Sequence, residues 1–381
     1  MAKSRLHELS THGVSVWIDT LSRELLETGE LARLLKEDAV VGVTSNPTIF
    51  EKALSAGDWY DDQLREILGD EDEAPKEIFV DLAIEDVRRG CDLLRRVWED
   101  TGRVDGYVSL EVDPALAYDR ERSYAEAMRF HDLVDRPNLF VKIPGTEPGL
   151  GAIEDCIAAG RSINVTLIFS LERHSEVIEA YIGGLERLVA GGGDPAPVAS
   201  VASFFVSRVD TEADRRLGEL GREDLQGKLA IANAKLAYQQ YLKAFSGDRW
   251  EALAAEGATP QRCLWASTST KNPAYRDVLY VEELIGPDTV NTMPLETVAA
   301  FQDHGAVRDT LTEGVDEAHE LVEALAEAGV DYDDVVATLE REGVEKFADS
   351  LQQVLDGIEA KRAGLMVGAR PESASADSGR A

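Results

Sequence analysis

Short apolar runs rich in β-branched and aromatic residues recur along the chain, and most are separated by stretches with helical spacing. The runs are "VSVWIDT" (14–20), "AVVGVTSN" (39–46), "GYVSLEVD" (106–113), "LFVKIP" (139–144), "SINVTLIFS" (162–170), "PVASVASFFV" (197–206), "CLWAST" (263–268) and "TVNTMP" (289–294). Between the first two, "SRELLETGELARLLKE" (22–37) puts Leu25, Leu26 and Leu34 on one side, with Ser22 as N-cap, and reads as one helical stretch. "LERHSEVIEAYIGGLERLVAGGG" (171–193) is a second helix that runs out into glycines.

Eight buried strands alternating with helices fit a parallel (β/α)8 barrel, a TIM barrel, better than an open doubly wound sheet. No G-x-G-x-x-G follows any strand, which weakens the dinucleotide-binding form of the open sheet. The intervals 47–105 and 207–262 are long enough to hold additional helices. After residue 294, "LETVAAFQDHG" and the run from about 315 to 362 are helical and close or cover the barrel. With no internal boundary or repeat, one catalytic-size domain is expected over 1–368. A small, polar tail at 369–381, "ARPESASADSGRA", is expected to be disordered.

Charge narrows the choice of partner. Over 381 residues, 72 acids face 39 bases for a formal charge of −33, so neither nucleic acid nor an anionic membrane suits this surface. An anionic substrate would have to be held by a local cluster of positive groups. Cys91, Cys156 and Cys263 are scattered and odd in number, and no disulfide framework is implied. No run reaches the length of a membrane span, and "MAKSRLHELSTHG" lacks a signal-peptide core. A reduced, cytoplasmic protein is expected. The six histidines form no metal-ligand spacing, so no metal is expected.

In such a barrel the chemistry lies at the C-terminal ends of the strands. Those ends carry Asp19, Asn46, Glu111, Lys142, Asn164 with Thr166, Ser203, and Ser267 to Lys271. Lys142 is the odd member, an ammonium between Phe140 and Ile143 in a strand that Pro144 and Gly145 then end. A lone buried charge is costly, so this lysine is either paired or neutral. A neutral lysine can attack a ketone carbonyl and form a Schiff base that serves as an electron sink. Two carboxyl groups with separate proton-transfer roles would complete the chemistry of C–C cleavage. Alternatively, Lys142 simply neutralises Glu111 or Asp19. In "GVTSNPTIF" (42–50), Pro47 holds Asn46 in a bend and suits the first position of a helix, leaving the Asn46 amide for hydroxyl groups.

These residues carry a family resemblance. "WIDT" (17–20), "GVTSNPTIF" (42–50), "SLEVDP" (109–114), "VKIPGT" (141–146), "INVTLIFS" (163–170), "SFFVSRVD" (203–210) and "LWASTSTKNPAY" (264–275) resemble, in order, the strings of transaldolases. Those are Schiff-base-forming transferases of the pentose phosphate pathway, and the "STSTKNP" form looks like the longer bacterial subgroup. The resemblance implies that Lys142 forms the imine and Asp19 takes the proton of the C4 hydroxyl. Glu111 would act through a water positioned by Thr166. Asn46 and Asn164 would hold substrate hydroxyls with Thr44 and Ser203 nearby, and Arg208 would bind phosphate.

Many members carry a second phosphate-binding arginine where this chain has Ser269 or Lys271. The implied reaction moves a dihydroxyacetone unit from sedoheptulose 7-phosphate to glyceraldehyde 3-phosphate without a cofactor. The expected state is a monomer or homodimer. Two rivals stand beside it: a fructose 6-phosphate aldolase that releases free dihydroxyacetone, and a non-catalytic scaffold barrel.

Overall fold

A computed structural model of the chain describes residues 4–55, 57–68 and 73–368. The expected disordered tail at 369–381 lies outside the described residues, as do the first three residues of the expected domain. The strands are β1 (Val14–Ile18), β2 (Val40–Val43), β3 (Val108–Glu111), β4 (Leu139–Pro144), β5 (Ile163–Ile168), β6 (Ser200–Phe205), β7 (Arg262–Ala266) and β8 (Thr289–Met293). They pair in sequence order, all parallel, and β1 meets β8 to close a barrel. This is the (β/α)8 architecture the alternation predicts. Most strands end a residue or more before their apolar runs do, so Asp19 and Asn46 sit on the lip rather than in the ladder.

The helices ring this sheet. The first five are α1 (Arg5–Thr11), α2 (Arg23–Glu27), α3 (Glu30–Glu37), α4 (Pro47–Ser55) and α5 (Asp61–Leu68). Next come α6 (Pro75–Asp100), α7 (Arg120–Val134), α8 (Glu147–Ala158), α9 (Leu171–Ala190) and α10 (Ser207–Glu219). Then follow α11 (Leu229–Ala244), α12 (Asp248–Ala255), α13 (Leu279–Glu282), α14 (Leu295–His304), α15 (Val315–Glu327) and α16 (Tyr332–Gly368). The additional helices fall where the long intervals require them. The predicted helix over 22–37 is two helices. Ser22 caps the first, accepting from Leu25 N at 3.1 Å, but Gly29 turns left-handed at φ 75° and restarts the chain as α3. Pro47 opens α4, and α9 ends at Gly191, both as the sequence suggests.

The lower half of the barrel interior is filled and electrically closed. Trp17, Tyr107 and Phe140 pack together, the last two stacked with ring centroids 4.1 Å apart. Asp105 accepts from Trp17 Nε1 at 2.9 Å and from Ser15 Oγ at 2.6 Å, and Arg262 pairs with it at 3.0 Å. Cys263 is buried beside His174 at the start of β7, where a core thiol belongs. Among the described residues, no helix is long and apolar enough to cross a membrane.

Candidate active site

Above the aromatic layer the barrel opens into a cavity of about 210 Å³ at the C-terminal ends of the strands. Lys142 is at its base, 5 % exposed, and it is not a lone charge. Its Nζ donates to Glu111 Oε2 at 2.7 Å and to Ser45 O at 3.0 Å. The register of β3 with β4 sets Glu111 directly opposite Lys142, so the pairing follows from how the sheet closes. The sequence leaves open whether this lysine is isolated and neutral or paired; the structure pairs it with Glu111.

That pair is only half satisfied. Glu111 Oε1 is buried and receives no hydrogen bond among the described residues, and on the far side of β4 the buried Thr166 Oγ1 is equally unpartnered. Burial raises the pKa of Glu111, with the Lys142 charge opposing. Thr166 precedes an irregularity in the sheet. Leu167 takes a left-handed φ of 57°, rare for a bulky residue, and the β5–β6 register shifts there. Other buried atoms, among them Trp98 Nε1, Asn138 Oδ1 and Gln261 Oε1, also lack a partner among the described residues, so what sets these two apart is their place beside Lys142.

The other expected residues divide into those that line the cavity and those that support it. Asp19, Thr44, Asn46, Ser203, Arg208, Ser269 and Lys271 line it with Lys142 and Thr166. Asp19 has its pKa raised by burial, partly offset by the Thr20 hydroxyl, and it touches neither Lys142 nor Glu111. Thr44 Oγ1 lies 2.8 Å from Thr292 Oγ1. Only part of the Asn46 amide is available, because its Oδ1 accepts from Ile49 N at 3.1 Å and caps α4. Asn164, opposite Lys142 in register, does not line the cavity. It is wholly buried, donates to Ser109 Oγ at 3.1 Å and accepts from Ser203 Oγ at 2.7 Å. Its side chain is thus committed to a buried chain of hydrogen bonds across β3, β5 and β6.

Positive charge collects at the rim. The Arg208 guanidinium sits 5.1 Å from the Phe205 ring and makes no ion pair or hydrogen bond among the described residues; burial lowers its pKa. Lys271 donates to Ser269 Oγ at 2.6 Å, and burial lowers its pKa too. Ser207 N donates to Ser267 O at 3.0 Å, tying the helix of Arg208 to the loop that carries Ser269 and Lys271. Lys52 joins Asp19, Ser269 and Lys271 around an adjoining cleft of about 380 Å³. Lys346 and Phe347 of α16 also reach the main cavity. Strand-end reasoning misses Lys52, Lys346 and Phe347, since they come from helices; the one available signal is a base within an amphipathic helix of unknown docking.

Comparison with known proteins bears on the same residues. The profile of the family "Transaldolase/Fructose-6-phosphate aldolase" matches residues 16–358. The transaldolase of Frankia alni is 54 % identical over 360 residues, covering 93 % of this chain and 96 % of the relative. That of Acidothermus cellulolyticus is 55 % identical over 361 residues, covering 93 % and 95 %. Transaldolase 1 of Streptomyces coelicolor is 51 % identical over 362 residues, covering 93 % of each.

Proposed function

The chain belongs to the transaldolase/fructose-6-phosphate aldolase family, and from that premise we propose how its site moves a three-carbon ketose fragment between sugar phosphates. It is an enzyme of the transferase class, a transaldolase, and the scaffold reading falls with the family. The donor is sedoheptulose 7-phosphate or fructose 6-phosphate. The acceptor is glyceraldehyde 3-phosphate or erythrose 4-phosphate.

The reading of the site starts from the half-satisfied pair. Lys142 must shed a proton before its nitrogen can attack the donor's ketone carbon. Glu111 Oε2, 2.7 Å away on a carboxyl whose pKa burial has raised, is the base in contact with it. Attack gives a carbinolamine, and its hydroxyl leaves as water once protonated. The unpartnered Glu111 Oε1 and Thr166 Oγ1 are suited to hold that water. The protonated imine then draws electrons from the C3–C4 bond while Asp19 takes the proton from the C4 hydroxyl. A carboxylate with a raised pKa both accepts and returns a proton readily, which the transfer needs.

Cleavage releases an aldose phosphate and leaves an enamine on Lys142. The acceptor aldehyde adds to that enamine, and the same steps run in reverse. Arg208, with Ser269 and Lys271 on the opposite loop, supports binding of the phosphate; its guanidinium fork suits a dianion. No organic cofactor or metal enters, because the lysine supplies the electron sink.

The observation that carries this reading is Lys142 at a cation-rimmed cavity with Thr166, paired behind the lining with Glu111, whose second carboxyl oxygen has no partner among the described residues. The test is acceptor dependence. With fructose 6-phosphate alone little free dihydroxyacetone should form, and adding erythrose 4-phosphate should give sedoheptulose 7-phosphate at a rate at least about 100-fold higher. Equal rates of dihydroxyacetone release with and without acceptor would make the enzyme a simple aldolase instead.

A further inference from the structure

The C-terminal helix delivers a cation to the cavity by a route no strand end provides. Lys346 and Phe347 are adjacent on α16, and both line the cavity that holds Lys142 and Arg208. Phe347 is buried, 3 % exposed, with its ring 5.6 Å from the Arg208 guanidinium and 5.9 Å from Lys142 Nζ. One turn earlier the helix packs closely at Gly343, where a Cβ would sit 3.0 Å from Leu167 Cδ2. One turn later Ser350 Oγ lies 2.7 Å from Thr48 Oγ1, just after the Asn46–Pro47 bend. The fold thus fixes α16 on both sides of Lys346, and the ammonium stays exposed at the rim.

The charges that act on Lys346 are all positive: Arg208, Lys271 and Lys52. Lys346 and Arg208 make no ion pair and no hydrogen bond among the described residues, and Lys271 bonds only the Ser269 hydroxyl. Carboxylates stand within electrostatic reach of two of the three cations, Glu296 and Asp19 for Lys271 and Glu111 for Arg208, yet none forms an ion pair with them among the described residues. Arg208 is the chief reason the pKa of Lys346 is lowered, with burial second and Lys271 third. Like charges gathered without a direct ion pair repel, and a bound dianion relieves all three at once.

Building on the transfer reading, we propose that Lys346 is a phosphate-binding residue that makes this enzyme selective for phosphorylated substrates. Arg208 meets the phosphate from β6 and α10, Lys271 from the loop after β7, and Lys346 closes over it from α16. Phe347 positions Lys346 by packing on Arg208 rather than by touching the substrate.

The test compares Lys346→Met and Lys346→Arg with the parent chain. Transfer from fructose 6-phosphate is measured onto glyceraldehyde 3-phosphate and onto glyceraldehyde, and binding of inorganic phosphate is measured by calorimetry without turnover. For Lys346→Met the ratio of kcat/KM between the two acceptors should fall about tenfold or more, mainly through KM. Phosphate affinity should weaken by a similar factor, and Lys346→Arg should restore most of both. An unchanged ratio in an enzyme that still transfers, or an equal loss for both acceptors, would overturn the proposal. A parent chain that binds phosphate through Lys346 but transfers nothing would sink the transfer reading and leave the anion site standing.

Discussion

Two buried ion pairs in this molecule look alike by burial and differ in what surrounds them. Arg23 and Asp86 meet at 2.5 Å with side chains 8 % and 0 % exposed; Lys142 and Glu111 meet at 2.7 Å with 6 % and 2 %. In the first pair both carboxylate oxygens are used. Asp86 Oδ2 accepts from Tyr60 OH at 2.8 Å, Arg23 Nη2 donates to Gln63 Oε1 at 2.6 Å, and the guanidinium lies 5.0 Å from the Tyr60 ring. In the second, neither Glu111 Oε1 nor Thr166 Oγ1 beyond it has a partner among the described residues, and the lysine faces a cavity. Burial raises the pKa of both carboxyls and the partner cation opposes it in both, so titration does not tell them apart. Satisfaction does. Arg23–Asp86 fastens α2 to α6, whereas Lys142–Glu111 is left with unmet hydrogen-bonding capacity where a substrate arrives.

The comparison can be broken most sharply at the two cations. Lys142→Met should lower kcat by roughly 10⁴-fold or more while Tm moves by about 3 °C or less, since Glu111 can take up a proton once its partner is gone. Steady-state kinetics with thermal melts checks both halves; a large loss of stability would make this pair structural like the first. Arg23→Met should do the opposite. Even with Asp86 protonated it leaves Gln63 Oε1 without its donor and the Tyr60 ring without its cation, and should cost about 3 kcal/mol in denaturant unfolding, with kcat per folded molecule kept.

Thr166→Val refines the contrast, because it deletes a buried hydroxyl that has no partner in the fold. Stability should be unchanged or slightly higher, and kcat about tenfold to a hundredfold lower. The smallest effect belongs to Lys271, whose charge lowers the pKa of Asp19 against the rise from burial. Lys271→Met removes that pull, so the Asp19 pKa rises further. The acid limb of the kcat profile should then move to higher pH by some tenths of a unit. A shift to lower pH would remove Asp19 from the role of base.

The two pairs also differ in how far the sequence discloses them. Lys142 and Glu111 are visible because each interrupts an apolar strand near its C-terminal end, and closure of a parallel barrel brings such ends together. Arg23 and Asp86 lie on polar-rich helices where a charge is ordinary, and nothing in the periodicity marks them as buried. The same limit hides Lys346 and Phe347: α16 has helical spacing, but spacing says neither where a helix docks nor that it packs closely on Leu167 at Gly343.

The split at Gly29 comes from its left-handed backbone and is hidden in the sequence because the leucines on either side fit one period across the break. Asn46 and Asn164 have the right type and place, yet their hydrogen bonds are decided by a local helix cap and by sheet register, neither of which a single sequence displays. Polar type at a strand end finds the neighbourhood of the site. Which atoms remain free within it is a property of the packed fold.

The central claim is that Lys142 is paired but reserved for chemistry, and reductive trapping tests it most directly. The protein is incubated with fructose 6-phosphate, reduced with borohydride, digested and analysed by mass spectrometry. The account predicts a stable adduct of the ketose or its three-carbon fragment on the peptide "LFVKIPGTEPGL", at Lys142 and at no other lysine. A folded sample with no adduct, or with the adduct on another lysine, would contradict it and return the Lys142–Glu111 pair to the same standing as Arg23–Asp86.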